Sequence, residues 1–308
     1  MGTNIRSNFN AQFFTSDKLS ELEAVILAIE ESYASMIPLF FNEEMMTTDI
    51  SQHTTISGLR NPEAKPENVP LTFQTLKSGY TKTYTATTYA TGYRISKEMV
   101  KDGKFGFIER ATKSFAKGMF ELKEIQAADV FDGGFTNTGY DGQALFSTSH
   151  PLENGAGVTG SNTPSAGSEL SITSYRELRN ILQDTLNENG QRIKIMGKWF
   201  IVPQELQDVA EEIVKSTYNP EDANNAINTA YNKLELLPGG CWMYLDDPDA
   251  WYIAGDKTDN WLMFMNRQGM ETDSDYDKRA FAWELMCNER WDFGYSNWRG
   301  IVGNPGAS

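Results

Sequence analysis

The 308-residue chain is poor in cysteine, in histidine and in positive charge. Its two cysteines, Cys241 and Cys287, cannot build a disulfide framework and offer too few thiolates for a structural zinc site. Both sit in apolar, strand-like runs where a free thiol behaves as a small hydrophobe, so core packing and a reducing compartment are expected. Lysine and arginine number 27 against 42 aspartates and glutamates, a formal charge of −15. That excess repels a polyanion unless the few cations gather on one face, which argues against a nucleic-acid reader. Long apolar runs are also missing. Residues 36–41 and 261–265 fall far short of the roughly 20 that cross a bilayer, and residues 1–12 hold one arginine and no apolar centre, so no membrane span or secretory signal is expected. What is present is an ordinary core-forming composition, 40% hydrophobic and 12% aromatic, enough for one large domain or two smaller ones.

Catalytic constellations are equally scarce. The only histidines, His53 and His150, stand about a hundred residues apart. Asp141, Ser149 and His150 share one short segment, but a nucleophilic serine needs a strained elbow such as G-x-S-x-G, and none occurs. A structured loop with His150 before rigid Pro151 is the expectation. Asp273, Asp275, Asp277 and Glu284 match four positions of a calcium loop, yet Lys278 stands where the turn requires glycine. These residues are therefore expected to form a solvated acidic loop. Gly103-Lys104-Phe105-Gly106 and Gly133-Gly134 lack phosphate-loop spacing and read as turns. No catalytic, cofactor-binding or metal-binding residue is nominated.

The order of elements is more informative. Residues 1–15 are polar and aperiodic, an arm that orders only by lying on something, and deleting them should impair assembly while leaving the subunit folded. Leu19, Leu22, Ile26, Ile29, Tyr33 and Met36 step by three and four, predicting a helix over 17–37 that Pro38 stops. Residues 47–77 form a proline-broken excursion in which 54–59 and 71–76 are expected to pair as a protruding hairpin. Residues 80–95 alternate as a strand, bent near Gly92. Residues 107–131 switch to helical period, with Ile108, Ala111, Phe115, Met119, Leu122, Gln126 and Asp129 on one face and Glu109/Lys113 and Lys117/Glu121 as solvent pairs. The glycine-rich stretch 153–169 reads as a boundary. A second block follows: helix 174–187 closed by Gly190, strand 193–202, helix 203–216 with Leu206, Val209, Ala210 and Ile213 inward, and short strands 234–237, 241–245 and 251–254. A strand over 280–288, with Phe281, Trp283, Leu285 and Cys287 on one side, and an extended stretch 291–301 return to the first block.

Residues 84–101 followed by Gly103-Lys104-Phe105-Gly106 and the helix 107–131 resemble the major capsid proteins of tailed bacteriophages with the Hong Kong 97 type (Johnson) fold. The likeness is closest to the Mu-like major head subunit group. Asp141-Gly142 leading to Leu145-Phe146-Ser147-Thr148-Ser149-His150-Pro151 adds to it, as do Phe200-Ile201-Val202-Pro203 and Trp298-Arg299-Gly300-Ile301. The resemblance implies an α+β fold with an N-terminal arm and helix (1–46), an extended β-hairpin loop (47–79), a peripheral domain (80–152 and 271–308, with spine helix 107–131) and an α/β axial domain (153–270). It implies a non-enzymatic virion protein, made in the bacterial host cytoplasm, whose copies form hexamers and pentamers around packaged double-stranded DNA. Expected partners are other copies, a separate scaffolding protein, a portal and decoration proteins. The alternatives are a tail-tube or decoration subunit, or a soluble α/β hydrolase or sugar-binding protein using the seven Trp and thirteen Tyr as a platform. A serine-hydrolase probe reaction lost on Ser149→Ala or His150→Ala would favour the enzyme.

Overall fold

A computed structural model describes residue 29 and residues 33–307, apart from 57, 60, 63, 72, 153–157 and 219–225. The expected arm and most of the 17–37 helix lie outside the described residues. In chain order the elements are α1 (Ile37–Phe40), β1 (Asn42–Met45), β2 (Ile50–Ile56), β3 (Ser78–Thr85), β4 (Thr87–Ser96), α2 (Lys97–Lys101) and α3 (Phe105–Asp132). There follow β5 (His150–Pro151), β6 (Thr159–Gly160), α4 (Ile172–Gln183), β7 (Gly197–Ile201), α5 (Gln207–Lys215) and β8 (Glu235–Leu236). The chain closes with β9 (Trp251–Gly255), β10 (Leu262–Asp277), β11 (Ala282–Tyr295) and β12 (Ile301–Asn304). Among the described residues no helix is long and apolar enough to cross a membrane.

One sheet has the order β1-β10-β11-β4, antiparallel except for β1, and α3 packs on one of its faces. The buried stripe of α3 is Ile108, Thr112, Ala116, Met119, Phe120, Glu124, Ala127, Ala128 and Phe131. It advances mostly by four, so it drifts around the helix and leaves the expected Asp129 exposed. The two expected solvent pairs are in place, Lys113 to Glu109 at 2.8 Å and Lys117 to Glu121 at 3.1 Å. The second sheet, β12-β9-β7-β8, carries α4 and α5 over its own core of Tyr175, Leu178, Phe200, Ile213 and Trp251. Ser171 and Ser174 cap each other reciprocally, which starts α4 at Ile172.

Several expectations need correction. Pro38 opens α1 instead of stopping a helix, because a first turn leaves its missing N–H without consequence. The strand over 80–95 breaks at Ala86, not Gly92: β3 turns to pair with β2, and β4 with β11. Gly92 stays in register opposite Met286, at a spot where a Cβ would lie 2.9 Å from the Leu285 carbonyl oxygen. The hairpin exists but pairs 50–56 with 78–85, and the described residues between 58 and 77, where three prolines fall, join no ladder. Helix α4 ends at Gln183, and Gly190, at φ +75°, serves a later turn. Residues 241–245 are turns instead of a strand, following the positive-φ pair Gly239 and Gly240. On α5 it is Val214, not Val209, that joins Ala210 and Ile213 inside.

Residues 273–277 are strand, not loop, since β10 continues past register irregularities between Asn266 and Glu271 and pairs with β11 to Asp277. Phe281 stands exposed at φ +49° in the turn between these two strands. The C-terminal strand β12 joins the second sheet, not the spine-bearing one expected for 271–308. Gly300 makes that crossing possible: it holds φ +86°, and a Cβ would sit 2.1 Å from the Asp259 carbonyl oxygen.

Candidate assembly surfaces

The Asp141, Ser149, His150 segment folds as a buried brace. His150 Nδ1 faces Asp141 Oδ2 at 2.7 Å, and its Nε2 faces the Leu145 carbonyl and Asn162 Oδ1, each at 3.2 Å. Asn162 Nδ2 donates to the carbonyls of Leu145, Trp298 and Ile301, so its Oδ1 is an acceptor and His150 Nε2 must donate. No ring nitrogen is left to serve as base for Ser149, whose hydroxyl donates instead to Gln143 Oε1 at 3.3 Å. Trp298 stacks on His150 at 4.4 Å and takes the Arg299 guanidinium at 4.5 Å from its ring centroid. The brace ties residues 141–162 to the crossing between the sheets.

Other candidate sites resolve in the same way. Burial pushes the Cys287 thiol up to about 11 and raises that of Cys241, so neither is a reactive thiolate. Glu271, Asp273 and Asp275 are exposed on β10, opposite Asn288, Met286 and Glu284 of β11, and Glu284 in turn pairs with Arg94 of β4 at 2.7 Å. They present an acidic strip on the sheet face away from α3. Asp129, Asp132 and Asp246 bring carboxylate oxygens within 4.8 Å of one another. Burial raises the affinity of Asp129 and Asp132 for protons, reinforced for both by the charge of Asp246.

Among the described residues, a run of exposed apolar side chains lies on the hairpin and its loop. Ile56, Leu59, Leu71, Phe73 and Leu76 are all more than half exposed, Phe73 at 85%. Both strands of the hairpin are held at their base by one hydroxyl: Ser296 Oγ meets Tyr84 OH at 2.8 Å and His53 Nδ1 at 3.1 Å. Beside that clamp a pocket of about 370 Å³ opens between His53, Ile56, half-exposed Trp261 and Asn297. Sequence reasoning missed the clamp, because nothing in a lone serine after a strand marks it.

A family model described as phage capsid protein matches residues 79–304. The chain belongs to the phage capsid protein family. Solved structures with a similar fold include phage capsids. The procapsid subunit of bacteriophage JBD30 is 12% identical, with a TM-score of 0.51 over 94% of this chain and 76% of that one. The JBD30 capsid decorated with minor capsid protein trimers gives 11% identity and 0.54 over 70% and 92%. The capsid of an empty GTA particle gives 14% and 0.53 over 89% and 90%. No curated protein matches the chain. The capsid subunit has the mixed α and β fold of tailed-phage heads, as the motifs around Tyr84, Gly103 and Trp298 implied. It is a structural major capsid protein, and its place is the virion.

Proposed function

We propose that this capsid subunit assembles with copies of itself, as hexamers and pentamers, into the shell that encloses packaged double-stranded DNA. The observation that carries the reading is the hairpin with its loop, which exposes Leu59, Leu71, Phe73 and Leu76 on a segment whose strands ladder only with each other and whose loop is tied to the rest by polar contacts such as Asn61 N–H to Gln191 and Asn189 to the Gly58 carbonyl. Each such side chain contributes about 1.5–3 kcal/mol when covered, and a neighbouring copy is the cover that a closed shell supplies. In this reading residues 47–79 are the extended loop, β1-β10-β11-β4 with α3 form the peripheral unit, and β12-β9-β7-β8 with α4 and α5 form the axial unit. A separate scaffolding protein, a portal and decoration proteins complete the set of partners; the JBD30 head, which carries minor capsid protein trimers, is the precedent for decoration. The narrower Mu-like placement rests on the sequence motifs alone.

Electron microscopy of the expressed protein, alone and with its scaffolding protein, tests the reading. Closed shells are expected. Only small monodisperse particles under every condition would overturn it.

A further inference from the structure

Among the described residues, three that are not glycine hold a positive φ: Asn68, Asn232 and Phe281. Asparagine tolerates that region, whereas a phenylalanine there is an outlier. Phe281 sits at φ +49° in the turn between β10 and β11 and is 57% exposed. Neighbouring bonds fix it there. Lys97 N–H donates to the Phe281 carbonyl at 3.0 Å, Arg279 N–H donates to Asp277 Oδ1 at 2.8 Å, and the Lys97 ammonium lies 5.8 Å from the ring centroid. The turn thus holds a large apolar side chain out at the end of the sheet against a backbone preference, a strain that persists only where the surroundings enforce it. Its charge also runs against that of the molecule. Residues 97–104 and 277–281 hold five cations (Lys97, Lys101, Lys104, Lys278, Arg279) against three anions, in a chain of net charge −15.

A complementary hollow lies on the same sheet, on the face away from α3. Two rungs cross three strands there, Glu271, Asn288 and Ala90 in one and Asp273, Met286 and Gly92 in the next. Small Ala90 and Gly92 leave room beside Met286, which is 39% exposed, and a pocket of about 660 Å³ opens with Glu271 and Asp273 along one side. An apolar floor with an acidic wall is the converse of an aromatic knob with a cationic rim. Turn and pocket lie on the same pair of strands, about 14 Å apart along β10 from Asp273 to Asp277, so no turn reaches the pocket of its own chain.

We propose that the Phe281 turn of one copy seats in this pocket of a second copy, its ring on Met286 and its Lys278 and Arg279 against Glu271 and Asp273. The contact is head-to-tail, so it repeats from copy to copy around a ring. The inference rests on the shell reading above and names two surfaces through which copies meet.

The test combines cross-linking with charge exchange in the full-length protein. Arg279→Cys and Asp273→Cys, mixed and oxidised with diamide, are expected to give disulfide-linked dimers that neither variant gives alone; the native Cys241 and Cys287 are buried. Phe281→Asn suits the left-handed backbone, so it should leave the urea midpoint of the unassembled subunit at or above the parent's while raising the concentration at which shells appear by about tenfold, as loss of an aromatic anchor does. Lys278→Glu with Arg279→Glu, and Glu271→Lys with Asp273→Lys, should each block shells alone and restore them when all four are combined in one chain. Normal shells from Phe281→Asn, or a fourfold variant no better than either half, would overturn the contact and leave the shell reading standing. Cross-linked pairs in a protein that closes no shells under any condition would support the contact and sink the shell reading.

Discussion

Trp298 lies flat between an imidazole and a guanidinium, and each of those is itself pinned: His150 to Asp141, Arg299 to the Leu186 carbonyl and Glu188. Such a stack is stiff because the imidazole and the guanidinium are each hydrogen-bonded within the chain, while buried Arg299 Nη2 meets no partner among the described residues. His150→Ala removes the partner of a buried carboxylate and should cost about 3–5 kcal/mol, read from urea unfolding of the unassembled subunit. Ser149→Ala breaks only exposed contacts and should change stability by less than about 0.5 kcal/mol. Asp132 provides a pH reporter. Its folded-state proton affinity is raised, chiefly by burial, so the native state binds more protons than the unfolded chain and this residue's contribution to stability falls as pH rises above the ordinary carboxylate range. Asp132→Asn should therefore melt higher than parent near pH 7, with the gap closing toward pH 3. The proximity of Asp141, Ser149 and His150 was legible in sequence; the direction each side chain takes was not, because Asn162 and Trp298 decide it from distant positions.

At the scale of elements, α3 was readable almost to its ends because 28 residues of helical period leave little ambiguity, while its exact inward stripe was set by the sheet beneath. The register of the β2–β3 hairpin could not be read. Threonine-rich segments on both sides of the prolines fit a ladder equally well, and only the anchoring of Tyr84 and His53 at Ser296 selects the pairing found. β10 escaped recognition because its acidic residues alternate on a face that never meets the core. Two substitutions separate folding from assembly. Gly118→Ala should raise the unfolding free energy of the unassembled subunit by up to about 1 kcal/mol, checked by denaturant titration. Replacing Leu71, Phe73 and Leu76 together by serine should leave that free energy within about 0.5 kcal/mol, since all three are exposed, yet abolish shells in micrographs.

For the whole molecule, like charge opposes the crowding that a shell demands. At −15 per subunit the repulsion is long-ranged in dilute buffer and is cut to a range of about 8 Å at physiological ionic strength. Raising salt from about 20 to 200 mM should lower the protein concentration at which light scattering first rises; the opposite trend would mean that contacts between copies are mainly ionic. The two sheets are not independent bodies in sequence, because the chain leaves one along β11 and enters the other along β12, with Ser296 and Gly300 in the crossing. The hairpin is rooted at that same crossing, where Ser296 Oγ meets Tyr84 and His53 and Asp292 accepts from the Thr85 N–H, with six residues of β3 beyond Tyr84, about 20 Å of strand, reaching outward. Mechanically this is a cantilever: a tilt of about 5° at its root carries the far end of β3 nearly 2 Å sideways. The few bonds at that root thus set how far each tile of the shell can overhang the next.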